Sequence, residues 1–468
     1  MTSMTSLAPI LQTLFSETAD ALAQETGFMC RRRKLTGSSF ACTLVFSWLA
    51  HPAASLGQLC QQAVAGGQRV SRQALDQRFS ESAATFLARL LAAALATLVS
   101  ETVPVAAALL QRFPAVVVLD STVISLPAAL AAWWPGCGGR TPGAGAAALK
   151  VGYRYDLLHG VADVLEWVAG RVSDQCLAIQ HAALPAGTLR LSDLGFFSLR
   201  HLQALLAQQV QFLCRPKAHC LVRIGLGPLE HAPLPQPLRL VLEQRCQQTL
   251  DLPIWLGGGR NAVSCRLLAV RVPPQIAAVR YQRLSEAARR EGMSVSLSQR
   301  ALTHFTVLVT SLSAAELSLS EALVLYRARW QVELVFKLWK QAGLVDEWRT
   351  HQPWRILCEV YAKLLALLVQ HWLTLLSAWD LPDKSLVQAA QVVRDQARNL
   401  GVALVRRPSR LPGILGDLRR VIRGACRIAP RKQRPALWQL LADPSLGWAY
   451  VDAYGAGPSR PIGINVSS

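Results

Sequence analysis

Tyr326, Arg329, Glu333 and Lys340 stand at i, i+3, i+7 and i+14 in one segment. At about 100° per residue of α-helix they project within about 60° of one another, so one narrow stripe carries an acid, two cations and a phenol. Trp330, Phe336 and Trp339 lie among them. An exposed, ion-paired helix face gives the same i, i+4 spacing of Arg329 and Glu333. Two aspartates shift the reading towards chemistry. Asp120 follows the apolar run 115–119 and Asp193 follows the run 188–192, each at the C-terminal end of a predicted strand. A strand-end Asp usually caps a turn. Three carboxylates converging from two strands and a helix can instead hold two Mg²⁺ ions about 3.5–4 Å apart, which clamp the attacking and leaving oxygens of an in-line phosphoryl displacement. His and Cys are absent from these three segments, which suits a hard cation. Arg329 and Lys340, beside Glu333, are cations for phosphate oxygens. Asp156, Asp163, Glu166 and Asp174 rank lower, because none ends a buried apolar run.

The elements that must position these residues follow from the hydrophobic period. Residues 1–112 read as helical, with a basic run Arg31, Arg32, Arg33 and Lys34. Two short helices, 55–64 and 71–79, are joined by Ala65-Gly66-Gly67, with Ser55 and Ser71 as N-caps. Arg72, Gln73, Gln77 and Arg78 on the second suggest a helix-turn-helix; an ordinary helical hairpin fits the same pattern. From Pro114 the period becomes that of strands, with a hairpin at His159-Gly160, a helix over 173–183, a short strand before Asp193, a helix over 198–208 and a strand over 210–214. Three strands, helix, strand, helix, strand is a mixed α/β sheet covered by helices. Residues 216–304 interrupt it with a Pro- and Gly-rich insertion carrying strands over 238–243, 250–256 and 264–272 and a basic helix over 276–291. Strand character returns at Phe305, and a helix over 320–342 follows, opened by a Ser318/Glu321 capping box and stopped by Gly343. The domain order is thus 1–112 helical, 113–215 and 305–357 the two parts of the sheet core, 216–304 the insertion, and 358–468 a helical, basic region.

Composition narrows the partner. The chain has 468 residues, 51% hydrophobic and 17% charged, so it can bury large cores and is not a disordered chain. Its net charge of +20 points to a polyanion rather than a small metabolite. Arg supplies 41 of the 49 basic residues, and its fork matches phosphate, although a GC-rich codon bias gives the same ratio. Between Arg406 and Arg434 there are ten basic residues and one acid, Asp417. The 11 cysteines form no Cys-x-x-Cys pair, which indicates a reducing compartment and no zinc site. Residues 1–17 lack a basic start and an unbroken apolar run, so no secretory signal is read. The stretch 361–379 is the most membrane-like, but Lys363, Gln370 and His371 make it a buried core helix and not a span.

Residues 326–340 match Tyr-x2-Arg-x3-Glu-x6-Lys at every defined position, and in this the sequence resembles the bacterial insertion-sequence transposases of the Asp-Asp-Glu superfamily, in particular their family-four group. Asp120-Ser-Thr and Asp193-Leu-Gly-Phe196 resemble the first and second acid motifs, and Arg31-Arg-Arg-Lys-Leu-Thr36, Val70-Ser-Arg-Gln-Ala-Leu75 and Leu308-Val-Thr310 extend the likeness over most of the chain. The resemblance implies an RNase H-like core with a β-strand-rich insertion between the second Asp and the Glu, for which the 140 residues from Asp193 to Glu333 leave room. It implies Asp120, Asp193 and Glu333 as catalytic metal ligands for two Mg²⁺ ions, with Mn²⁺ as a substitute. Tyr326, Arg329 and Lys340 would contact the transferred DNA end, and Phe305, where many members carry a Trp, would stack on an unpaired base or pack in the core. Arg31, Arg32, Arg33, Lys34 and Arg72 are further DNA-contact candidates. The partners implied are double-stranded DNA, as terminal inverted repeats and target, and a second copy in a synaptic dimer. No membrane is implied, and the place of action would be the bacterial cytoplasm, on the nucleoid. Two rivals remain: a helix-turn-helix regulator without catalysis, and an RNase H-like nuclease that cuts but does not join.

Overall fold

The structure, a computed structural model, describes residues 4–29, 35–97, 99, 104–138, 145–225, 233–329, 336, 340, 343–381, 383–428 and 436–443. In chain order the N-terminal helices are α1 (Met4–Thr13), α2 (Ala19–Glu25), α3 (Gly37–Ala50), α4 (Leu56–Ala65), α5 (Arg72–Asp76) and α6 (Glu81–Ala96). Strands β1 (Val116–Leu126), β2 (Ala147–Asp156), β3 (Val161–Ala169) and β4 (Leu189–Ser192) follow, then α7 (Leu199–Ala207) and β5 (Gln211–Cys214). The next stretch holds β6 (Leu221–Ile224), β7 (Gln236–Pro237), α8 (Leu238–Arg245), β8 (Thr249–Leu256), β9 (Val263–Arg271), α9 (Pro274–Arg290) and α10 (Leu297–Leu302). Last come β10 (Phe305–Thr310), α11 (Leu319–Ala328), α12 (Pro353–Ala378), α13 (Leu386–Arg406), α14 (Leu411–Ala425) and α15 (Leu437–Ala442). The fold is mixed α/β with helical flanks, as the sequence implies. The chain divides into two compact units, one of Met1–Ala106, Asp120–Ile179 and Gln331–Ala429, the other of Ala107–Leu119, Gln180–Trp330 and Pro430–Ser468.

The second unit is built on strands in the order β1-β4-β5-β10-β9-β8-β6-β7. Residues 116–119 of β1 pair in parallel with β4, from Val116↔Leu189 to Leu119↔Ser192, and β4 pairs in parallel with β5. Parallel neighbours need a crossover, which α7 provides between β4 and β5. From β5 onward the pairing is antiparallel, through β10, β9, β8 and β6. Phe212, Val222, Val241, Ile254, Leu267 and Val309 form the centre of its apolar core. Residues 238–245 are a helix, not the strand read from Leu238-x-Leu240-x-Leu242. The buried set is Leu238, Val241 and Leu242, the i, i+3, i+4 face of a helix, and Pro237 begins it.

The first unit packs helices around α12. This helix is the one among the described residues long and apolar enough to cross a membrane, and 94% of its apolar window is buried within the protein. It packs on α3, α6, α13 and α14. Fully burying each of its leucines and valines is worth about 1.5–3 kcal/mol, so it anchors the unit. The β2–β3 hairpin turns at Gly160, whose φ is +67°. A Cβ there would come within 2.2 Å of Leu375 and 2.6 Å of Trp379 on the α12 side, so glycine is required twice over. His371 Nε2 and Gly160 O lie 2.8 Å apart, and Trp379 Nε1 donates to Leu158 O at 3.2 Å, so the turn is held by side chains of that helix and its cap. Residues 173–183 form two 3-10 turns, Asp174–Cys176 and Ala178–Gln180, in place of the helix the sequence suggests. Asp174 is drawn instead to Lys150 and Ser121.

Candidate functional site

Asp120 does not end its strand. β1 runs on to Leu126, with burial alternating after Ser121, because Ser-Thr-Val-Ile-Ser-Leu is itself a period-2 pattern. What ends at Leu119 is the parallel pairing with β4: the last registered pair is Leu119↔Ser192, and the next residue on each strand is an aspartate, Asp120 and Asp193. Asp120 Oδ1 accepts the Ser121 N–H at 2.8 Å. The Ser121 hydroxyl donates to Asp174 Oδ1 at 2.8 Å, and Lys150 Nζ donates to the same oxygen at 2.9 Å and to Val172 O at 2.5 Å. Lys150 and Ser121 thus tie Asp174 to the strand beside Asp120. Lys150 carried no sequence signal; it is a polar position in an otherwise buried strand.

Asp193 occupies the N-cap position of a 3-10 turn, Leu194–Phe196, and its side chain makes no capping bond. It faces Tyr326 instead: Tyr326 Oη donates to Asp193 Oδ1 at 3.4 Å. Burial first, and the Asp193 charge second, hold the Tyr326 hydroxyl well above its ordinary pKa, so it stays a donor. Tyr326 comes from α11, which Ser318 and Glu321 open with the expected capping box and which Arg112 braces through Glu321 at 2.6 Å. Arg329 is 6% exposed and its guanidinium lies 5.8 Å from the Tyr326 ring centre. Lys340 Nζ donates to Val123 O on β1 at 2.9 Å, three residues beyond Asp120. Glu333 lies outside the described residues, as do Arg31, Arg32, Arg33 and Lys34.

The remaining candidates divide. Arg72 is exposed at the start of α5, after its Ser71 N-cap, and its guanidinium packs against Gly57 of α4. The Ser55 and Ser71 caps fall where the sequence puts them, on two short helices. Phe305 is a core residue: it is 3% exposed, pairs with Arg271 across β9, and has that guanidinium 4.7 Å over its ring. A ring closed off on these sides has the surroundings of core packing, the second of the two readings of Phe305. Of the competing carboxylates, Asp156 bonds His159 at 2.6 Å and the Leu158 N–H within the hairpin turn. Glu166 accepts the Ile179 N–H.

No group of three His, Cys, Asp or Glu side chains among the described residues is set to hold a metal ion. The donors at hand are nonetheless of one kind, carboxylate oxygens, which suit a hard divalent cation. One thiol of this sheet, Cys214 on β5, is paired with Ser192 on β4. Burial pushes its pKa up to about 12, so it stays a neutral thiol.

The family model described as a transposase DDE domain matches residues 111–369, more than half of the chain. The chain is 27% identical over 365 residues to the transposase for insertion sequence element IS231C of Bacillus thuringiensis subsp. berliner, covering 75% of each. It is 22% identical over 362 residues to the transposase for insertion sequence element IS1151 of Clostridium perfringens, covering 74% of this chain and 76% of that one. A shorter likeness, 31% over 126 residues, links it to the putative transposase InsL for insertion sequence element IS186A of Escherichia coli (strain K12), over 26% of this chain and 34% of the relative.

Proposed function

The chain belongs to the transposase DDE domain family, and from that footing we propose that it cuts DNA at the ends of an insertion sequence and joins the freed 3′-hydroxyls to target DNA, with Asp120, Asp193 and Glu333 as the acids and the family-four signature at 326–340 as the DNA-end grip. The observation that carries this reading is the bond from Tyr326 of the signature to Asp193. It joins α11, which opens the signature segment, to the strand end of the second acid. Lys340 bonded to Val123 links the same segment to the strand of the first.

Two Mg²⁺ ions held by the three carboxylates would supply Lewis-acid activation of water or of the 3′-hydroxyl and neutralise charge at the leaving oxygen. The chain's own residues do the rest. Tyr326 donates to Asp193 and fixes its direction. Arg329, against Tyr326, meets the phosphate of the transferred end, and Lys340, later in the same signature, the next. Arg72 and the exposed Arg406, Arg407 and Arg410 give the N-terminal helices and the end of α13 a basic surface for duplex DNA; the Arg406 side chain already lies against Gly67. Two ends must be held at once, so the working form is a dimer on DNA, in the bacterial cytoplasm.

The test uses linear DNA carrying the inverted repeats that flank the gene. Mg²⁺ should give cut ends and, with a target plasmid, joined products; EDTA should abolish both, and Glu333→Gln should remove both while end-binding survives. Cutting without joining would select the nuclease reading, and end-binding without cutting the regulator. Cutting that persists in EDTA would remove the two-metal mechanism.

A further inference from the structure

We propose that Gln180 and Arg190 are positioning residues, which fix the turn carrying Asp193 so that its carboxylate is presented to metal; the inference rests on the transposase reading. Arg190 lies on β4, three residues before Asp193, and is 2% exposed. Its guanidinium donates to Gln180 O at 3.2 Å, to Gln180 Oε1 and to His201 Nε2. Gln180 is equally buried, and its Nε2 donates to Phe196 O at 3.0 Å. Phe196 closes the turn that Asp193 opens, with Phe196 N donating to Asp193 O at 3.1 Å. Arg190, Gln180, Phe196 and Asp193 therefore form one continuous chain of bonds. Burial, then the Arg190 charge, push the His201 pKa down to about 3, so the ring is neutral and accepts with Nε2.

A buried cation is a poor device for stability, since an apolar residue of like volume often does as well. What the planar fork adds is direction: it sets both the carbonyl and the amide of Gln180, leaving the amide N–H₂ aimed at the turn. Asp193 makes no capping bond of its own, so this outside support adds to the turn's own backbone bonds. Groups that orient metal ligands in this way are typically worth roughly ten- to hundred-fold in metal affinity or activity.

The discriminating variant is Gln180→Glu. It keeps an acceptor facing Arg190, so the guanidinium remains bonded, but it loses the donor to Phe196 O. Arg190→Met is the companion, which removes the fork. Full-length protein is read four ways: thermal midpoint, Mn²⁺ binding by electron paramagnetic resonance without DNA, Mg²⁺ concentration for half-maximal cutting, and end-DNA binding in EDTA. Gln180→Glu should weaken Mn²⁺ binding and raise the Mg²⁺ requirement by roughly ten- to hundred-fold, with the midpoint and EDTA-phase DNA binding close to wild type. Wild-type Mn²⁺ binding in Gln180→Glu would overturn the proposal, as would a parallel loss of midpoint and DNA binding, which marks a purely structural role. A wild-type protein that binds Mn²⁺ but does not cut would remove the transposase reading and leave the positioning role standing on the binding data. A wild-type protein that binds no Mn²⁺ would remove both.

Discussion

Asp193 stands where an aspartate ordinarily gives its carboxylate to backbone N–H groups, and it gives it to a tyrosine hydroxyl instead. That one departure removes the turn-cap reading and supports the proposed metal-ligand role. Arg329 extends the argument, because a guanidinium 6% exposed beside Tyr326 is held in place before any DNA arrives. Removing it by Arg329→Ala should cost about 1.5–3 kcal/mol of end binding, the size of a charge-assisted hydrogen bond. Gel-shift titration should then show affinity falling by roughly ten- to hundred-fold, with cutting recovered at high protein concentration. A change of only a few tenths of a kcal/mol would show that Arg329 packs beside Tyr326 without gripping DNA.

At the scale of elements, α12 also clamps the turn that follows the signature segment. Lys363 is 2% exposed, pairs with Glu359 at 2.7 Å, and donates to Leu344 O at 2.7 Å and Glu347 O at 3.0 Å. Leu344 has a φ of +44°, a strained region for a branched side chain, so the turn needs such a hold. Lys363→Met leaves a buried carboxylate without its cation and should cost about 3–5 kcal/mol. Urea unfolding should show this, and adding Glu359→Gln should return much of it; a Lys363→Met protein of wild-type stability would show that the pair contributes little. The Ser55, Ser71 and Ser318 caps were legible because the cap residue and the following turn are local chemistry. So were β4, β5, β8, β9 and β10, as short apolar runs between turn signals. The continuation of β1 past Asp120 was hidden by its polar residues, and the helix over 238–245 by an alternation that fits both periods. The bonds through Lys150 and Gln180 were out of reach, since they join positions far apart in the sheet and turns without a local pattern.

For the whole molecule, +20 is a field as well as a count. Phosphate contacts release condensed counterions, so end binding should fall at least about a thousand-fold between roughly 50 and 200 mM salt if six or more contacts form. A flat dependence in fluorescence anisotropy would show that the charge is not directed at DNA. The first unit is assembled from three stretches of chain, the last beginning at Gln331. Helix α3, with twelve of its fourteen residues buried, is covered by α12 and α13, which lie some 300 residues later. On the ribosome the N-terminal helices must therefore wait, their apolar faces uncovered, until most of the polypeptide has emerged. Polypeptides that terminate before α12 would present that surface to chaperones and proteases and never acquire a finished first unit.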